Sequence, residues 1–420
     1  MTDAAVHVAS RPPRSEFRDG WPILLAGALG VAVTGVHFIV VSVMMKPLHA
    51  AYGWSRGDIA FALTLATVIM SIVHVPVGIL LDKVGPRPIL VPGSIIFSAG
   101  VALLGFAGPA LWTWYLAYAL FSMMIVPCTA FVWLNAIARS FDRRRGLALS
   151  LSLCGSGVLT ALIPTIVLHL DAAYGVRGTY FALAIGAFCL TFPFALFCIP
   201  RHLGGKHGED EVPPLAIDRN ERRALLLGSR FWRVALAVAL TSMCIGVFSV
   251  HFQPMLTDGG LTPAAAAKVM LFLGATFILG SLFSGLLFDR VSPKLVAAGA
   301  YLLPALASAL LMEFNGSFVL AATLGILAGA ALSAPVNALS FVGGYYFPVR
   351  HYGFVLGVLY GILAVAIGFG GWFAGCLFDM NGNYQLVFVL MIAASIVAAL
   401  LMLSMRSAAA DTVPQPVPVG

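Results

Sequence analysis

Apolar residues fill long uninterrupted stretches of the chain, and polar residues are confined to short gaps between them. A helix rises roughly 1.5 Å per residue, so about 20 apolar residues cross a hydrocarbon core about 30 Å thick. Twelve runs reach that length. The first six cover 22–45, 57–81, 88–107, 111–138, 146–168 and 178–199; the second six cover 232–254, 263–287, 294–312, 317–341, 353–376 and 384–404. The one long polar stretch lies between the two sets. The pattern therefore predicts a segment 1–21, a six-helix bundle 22–199, a linker 200–231, a second six-helix bundle 232–404 and a tail 405–420. The expected fold class is an all-α membrane protein with twelve transmembrane helices in two six-helix bundles.

Composition points the same way: 60% of residues are hydrophobic and 10% charged, with a mean hydropathy of +0.97. A soluble fold of this length exposes far more charge. The formal net charge of +7 raises nucleic acid as a partner, so the position of the basic residues decides. The side holding both termini and the linker carries 20 of the 24 lysines and arginines, leaving Lys46, Arg56, Arg177 and Lys268 on the other. The positive-inside rule then puts both termini in the cytoplasm. A basic excess spread over loops, with no single stripe, does not fit a nucleic-acid surface. All six cysteines lie in apolar runs without a CxxC pair, which excludes a disulfide framework or a zinc site as the reading. The polar start with Arg11, Arg14 and Arg18 leads into a run too long for a signal peptide, so the first span is expected to be retained.

The halves align without a gap. Gly78 to Asp82 in "GILLDKVGPRP" recurs as Gly285 to Asp289 in "GLLFDRVSPKL", an offset of 207 residues. The same offset pairs Lys46-Pro47 with Gln253-Pro254, Gly53 with Gly260, Ser55 with Thr262, Arg143 with Arg350 and Gly146 with Gly353. An even number of spans per half gives both copies the same orientation, the parallel repeat of a two-bundle transporter with its site between the halves. Within the repeated stretch, Gly78 and Gly85 allow close helix approach, and Pro86 and Pro88 stiffen the following turn.

These stretches and the six-plus-six plan resemble the major facilitator superfamily, whose loop signature runs Gly-x-x-x-Asp-Arg/Lys-x-Gly-Arg-Arg/Lys. The resemblance implies that Asp82 and Asp289 help latch the bundles on the cytoplasmic side in the outward-open state. Gly78, Lys83, Gly85 and Arg87 match the signature, as do Gly285 and Arg290 in the second copy. Pro86 replaces the first of the usual basic pair, which leaves Arg87 as the candidate partner of Asp142. "MKPLHAAYGWSRGDIAFALTL" and "RRRGLALSLSLCGSGVLTALIP" further resemble bacterial members of the monocarboxylate-porter and oxalate/formate-antiporter branch. That branch moves small organic anions, commonly with a proton. The eighth run departs from its eukaryotic carriers in lacking an internal Asp and Arg, so substrate charge must be met elsewhere.

No Asp or Glu lies in the middle third of any run, which suits an anion carrier better than a carrier of cations. His37, about 15 residues or roughly 22 Å into the first span, can take a proton or donate to a carboxylate. Lys46 matches the branch's lysine that meets the substrate carboxylate from outside; the alternative is a snorkelling anchor. His251 and Gln253 beside Pro254, together with Asn135, Asn337 and Tyr118, complete the candidate substrate contacts. Arg139 is expected to be a gate or topology charge, and Gly353, Gly357 and Gly361 form a small-residue stripe for helix contact. No phosphate loop, metal-ligand cluster or nucleophile elbow appears, so neither catalysis nor a cofactor or metal is expected.

The sequence thus predicts an alternating-access secondary transporter of a small organic anion, a monocarboxylate, that is proton-coupled or anion-exchanging. Its setting would be a bacterial cytoplasmic membrane, its partners substrate, proton and lipid, and its functional unit a monomer. Export of a lipophilic or aromatic compound and a non-transporting receptor are the alternatives.

Overall fold

The computed structural model describes residues 16–141, 145–201, 225–347 and 352–405. The apolar runs fold as helices because a chain inside hydrocarbon must satisfy its own backbone groups. In order they are α1 (Glu16–Gly35), α2 (His37–Tyr52), α3 (Arg56–Val84), α4 (Arg87–Leu104), α5 (Leu111–Ile125), α6 (Ala130–Ala138) and α7 (Arg145–Cys198). The second half comprises α8 (Ser229–Asp258), α9 (Pro263–Arg290), α10 (Pro293–Met312), α11 (Phe318–Tyr346), α12 (Tyr352–Asn381) and α13 (Gln385–Leu403). Among the described residues, eleven stretches are long and apolar enough to cross a membrane. The longest, α7, is two passes joined at Gly175, whose φ of 65° breaks the helix.

Two spans are split. The first begins at Glu16 and reaches Tyr52, well beyond the expected 22–45, and breaks at Val36 between α1 and α2. Apolar length marks the hydrocarbon thickness, and the helix continues past it at both ends. The fourth span breaks into a short 3-10 turn over Val126–Cys128, where Pro127 cannot continue the helical hydrogen bonding. The buried indole Nε1–H of Trp133 donates to the carbonyl of Cys128 there, at 2.9 Å.

α1 starts and α13 ends at one face of the bundle, termed the near face; the loops around Gly53, Gly175, Gly260, Gly316 and Gly382 lie at the opposite, far face. The 207-residue repeat is visible in the backbone. Gly53 and Gly260 both take positive φ (72° and 104°), as do Gly175 and Gly382 (65° and 70°). Ser55 and Thr262 both cap helix starts, accepting from Asp58 N and Ala265 N. The halves meet along three lines, α2 with α8, α3 with α12 and α7 with α9.

On the near face Asp82 and Lys83 are exposed. Gly85 ends α3 at a φ of 79° and returns its N–H to Leu81 O. Gly78 meets nothing closer than Phe131, at 3.7 Å from an added Cβ, so it does not mark a tight helix crossing. The Arg87 guanidinium donates to Leu196 O at 2.7 Å and to Ile199 O, closing the C-terminal end of α7 within its own half. Asp142 lies outside the described residues, as do the side chain of Asp289 and the surroundings of Gly285. Arg290 is exposed at the end of α9. Because Arg87 satisfies two helix-end carbonyls, Arg87→Ala is expected to cost about 1–3 kcal/mol of stability. Earlier thermal unfolding in detergent, with substrate KM unchanged, is the result that checks this.

Candidate functional site: a latch at the far face

α3 begins with a complete capping box. Ser55 Oγ accepts from Asp58 N at 3.1 Å, and an Asp58 carboxylate oxygen accepts from Ser55 N at 3.3 Å. That box leaves the N–H groups of Arg56 and Gly57 without an acceptor inside α3. Asp379, near the end of α12 in the other half, fills both positions: Oδ1 lies 3.1 Å from Arg56 N, and Oδ2 lies 2.7 Å from Gly57 N. A carboxylate at a helix start also meets the positive end of the helix dipole.

A second carboxylate sits beside it. Asp258, the last residue of α8, receives Lys46 Nζ at 2.7 Å and Arg56 Nη1 at 2.6 Å. Arg56 also donates to the Tyr384 hydroxyl at 2.6 Å and lies 3.7 Å from the centroid of the Phe378 ring. Below Arg56 the chain of donors continues inward. His251 Nδ1 is 2.9 Å from Tyr384 Oη, and its Nε2 is 2.8 Å from the carbonyl of Gly371. A carbonyl only accepts, so Nε2 carries the hydrogen and Nδ1 accepts from Tyr384.

The backbones close beneath the latch. A Cβ on Gly375 would lie 2.8 Å from both N and Cα of Gly57, so α3 and α12 cross in direct backbone contact. Thr64 Oγ1 donates to Gly368 O at 2.8 Å one step deeper. Toward the near face the pairing ends: Val68, Ile72, Val75 and Ile79 of α3 are exposed, and Gly357 and Gly361 of α12 have open space beside them. The expected stripe at 353, 357 and 361 is therefore not the helix contact of this conformation. Gly368 and Gly375 are, while Gly353 lies outside the residues whose surroundings are described. In α7, Gly157 makes the corresponding contact with Gly274 of α9.

The other candidate residues fall into separate places. His37 sits at the break between α1 and α2, its Nδ1 donating to Thr34 O at 3.1 Å, and its buried Nε2 has no partner among the described residues. It lines a cleft within the first half that encloses about 800 Å³ including its open mouth, shared with Tyr118, Phe121 and Tyr180 and otherwise apolar. Tyr118 is buried there against Trp114, ring centroids 4.6 Å apart. Lys46 and His37 are thus not in one pocket. Gln253 is buried with Oε1 unpartnered among the described residues. The same is true of Asn135 Oδ1, Asn337 Nδ2 and Arg139 Nε. The residues that sequence reasoning passed over are Arg56, Asp258, Asp379 and Tyr384. One signal could have found them. The 207-residue offset places Pro263 opposite Arg56, Ala51 opposite Asp258 and Ala172 opposite Asp379, so these charges are not copied by the repeat and are not owed to its architecture.

The two helical halves, with unlike charges interlocked at one face, carry a family match: the chain belongs to the Major Facilitator Superfamily, whose family model matches residues 27–341 and, in an overlapping match, 234–419. It is an integral multi-pass membrane protein of a family of transporters, not enzymes. Its relatives include monocarboxylate transporter 11 of Mus musculus, 28% identical over 377 residues that cover 84% of this chain and 75% of the relative. Monocarboxylate transporter 13 of Rattus norvegicus is 26% identical, covering 88% of this chain and 85% of its own. Among solved structures, a mutant of the nucleoside transporter NupG superposes with a TM-score of 0.74 at 14% identity, over 92% of this chain and all (100%) of that one.

Proposed function

We propose that the protein is an alternating-access carrier of a small organic anion, a monocarboxylate, moved with a proton or in exchange for another anion. The observation that carries this reading is the far-face cluster in which Lys46 and Arg56, both on the first half, share a carboxylate of the second. Two cations of one half that share a single carboxylate of the other suit an anionic solute once that carboxylate withdraws. The monocarboxylate transporters among its relatives support the substrate class. In this reading the near face is cytoplasmic, because the lysines and arginines concentrate there, and the setting is a bacterial cytoplasmic membrane. The conformation is then closed outside by the latch and open toward the cytoplasm. Exposed Asp82 and Lys83, with Arg290 in the second half, are gate residues in their disengaged state, and Asp289 is the second gate carboxylate. Lys46 meets the substrate carboxylate. Gln253, Asn135 and Asn337, each with a buried polar atom unpartnered among the described residues, offer hydrogen bonds along the path, whereas His251 has both nitrogens engaged and His37 faces the cleft within the first half.

The test is uptake of radiolabelled lactate, pyruvate, formate, oxalate and benzoate into proteoliposomes, with and without an inward proton gradient. Loss of a charge-assisted hydrogen bond worth about 1.5–3 kcal/mol predicts that Lys46→Gln weakens uptake roughly ten- to hundredfold. A folded, reconstituted protein that moves none of these anions rules the reading out. Export of a lipophilic compound then takes its place, a second reading favoured by the apolar cleft around His37.

A further inference from the structure

The donors and acceptors of the latch are sorted by half. Lys46 Nζ, the Arg56 guanidinium and the N–H groups of Arg56 and Gly57 all belong to α2 and α3. The carboxylates of Asp258 and Asp379 and the hydroxyl of Tyr384 all belong to the other half. Separation of the halves at the far face therefore breaks these contacts together. It leaves two cations and two helix-start N–H groups on one rigid surface with their acceptors withdrawn. The capping box of α3 is engaged elsewhere and does not turn to serve these donors, so they are left to water or to an incoming acceptor.

We propose that this vacated set is the outward-facing capture site for the substrate's carboxylate, and that substrate and latch compete for the same donors. The inference rests on the carrier reading above. To Lys46 it adds the Arg56 guanidinium and the first two N–H groups of α3. The closed structure already shows the donors seating two carboxylates. Asp379 bridges Arg56 N and Gly57 N at 3.1 and 2.7 Å, and Asp258 bridges Lys46 and Arg56 at 2.7 and 2.6 Å. A free carboxylate offers the same two oxygens and can take either seat. A solute without a negative charge cannot neutralise the pair of cations, which gives the mouth its selectivity. Closure returns Asp258 and Asp379 to their seats and leaves the substrate's carboxylate no place at the mouth. A substrate that has already moved inward then finds the far-face donors occupied behind it.

Competition makes a prediction of sign. Initial uptake rates would be measured over a range of pyruvate concentrations in vesicles with the far face outward, for the native protein, Arg56→Gln and Asp379→Asn. Removing a donor raises KM, by about tenfold for one charge-assisted contact. Removing the competing carboxylate lowers KM, and the expected fall is about threefold or more, with slower turnover because closure is weakened. A latch that only holds the halves together gives a different pattern. Both substitutions loosen the same closed state, so both shift KM in the same direction, and that result overturns the proposal while leaving the carrier reading intact. Arg56→Lys, which keeps the charge without the planar fork, guards against misfolding of the glutamine variant; its KM should fall between native and Arg56→Gln. If the folded native protein takes up no carboxylate at all, the carrier reading fails and the capture site fails with it.

Discussion

Gly375→Leu is expected to reduce carboxylate uptake by roughly 30- to 150-fold, from an overpacking cost of about 2–3 kcal/mol placed on one state of the cycle. The atoms that a side chain at this position would meet are Gly57 N and Cα at 2.8 Å and the carbonyl carbon of Arg56 at 2.9 Å. All are backbone, so no rotamer change relieves the clash, and α3 and α12 must part. The contact exists where the halves are latched, and the cost therefore falls on the far-closed state and shifts the population toward the far-open one. Cys376, the next residue, supplies a reporter: its Sγ lies 3.1 Å from where a Cβ on Gly57 would sit. Alkylation of Cys376 from the far side should accelerate in the variant. Gly299, exposed on α10 with nothing within 4 Å of an added Cβ, provides the control. Gly299→Leu should transport within about twofold of native, as substitutions without new contacts usually do. Native-like uptake in Gly375→Leu would remove the α3–α12 crossing from the transport cycle.

The difference between these glycines also shows how far the sequence could be read. Hydrocarbon thickness fixes the length of a span, so the twelve passes were legible from the apolar runs alone. Gly53 and Gly260 were matched by offset and both adopt positive φ; the same offset holds for Gly175 and Gly382, which no motif had singled out. Spacing could not say which glycines touch. Gly357 and Gly361 have the four-residue period of a helix contact and stand in open space, whereas Gly368 and Gly375 meet α3. The reason is that two tilted helices touch over a short length, and sequence periodicity carries no information about where along the axis that length falls. The latch was hidden for a related reason. Lys46 was legible through resemblance, but Asp258 and Asp379 lie at or beyond the ends of the apolar runs, where an acid reads as a loop charge. Arg56 N and its acceptor Asp379 are 323 residues apart, and only the folded chain brings them together. Arg87 was legible as a motif residue, while its contacts with the carbonyls of Leu196 and Ile199 depend on where the second pass of α7 ends.

His251 yields the second large effect: His251→Leu should reduce uptake about ten- to hundredfold, and His251→Gln should stay within about threefold of native, the contrast following from the cost of unpaired buried polar groups. The imidazole is completely buried, with both nitrogens engaged. It stands in a chain of donors that all run one way: Arg56 Nη1 to Tyr384 Oη, Tyr384 O–H to His251 Nδ1, and His251 Nε2–H to the Gly371 carbonyl. A phenol keeps its proton at neutral pH, so the Tyr384 hydroxyl can serve as the middle donor. Leucine strands the Tyr384 O–H, at about 1–3 kcal/mol, and removes from the Gly371 carbonyl its donor outside α12, leaving it the helical one. Tyr384 then loses the partner that aims its oxygen at Arg56, and the far-closed state bears the loss. Glutamine presents one acceptor and one donor on a planar group, so it can replace the imidazole at both ends of its step. Equal loss in both variants would show that packing of the ring, and not the direction of its hydrogen bonds, is what the closed state needs. Native uptake by His251→Leu would instead separate the buried chain from the latch, leaving Lys46, Arg56 and the two carboxylates to close the far face by themselves.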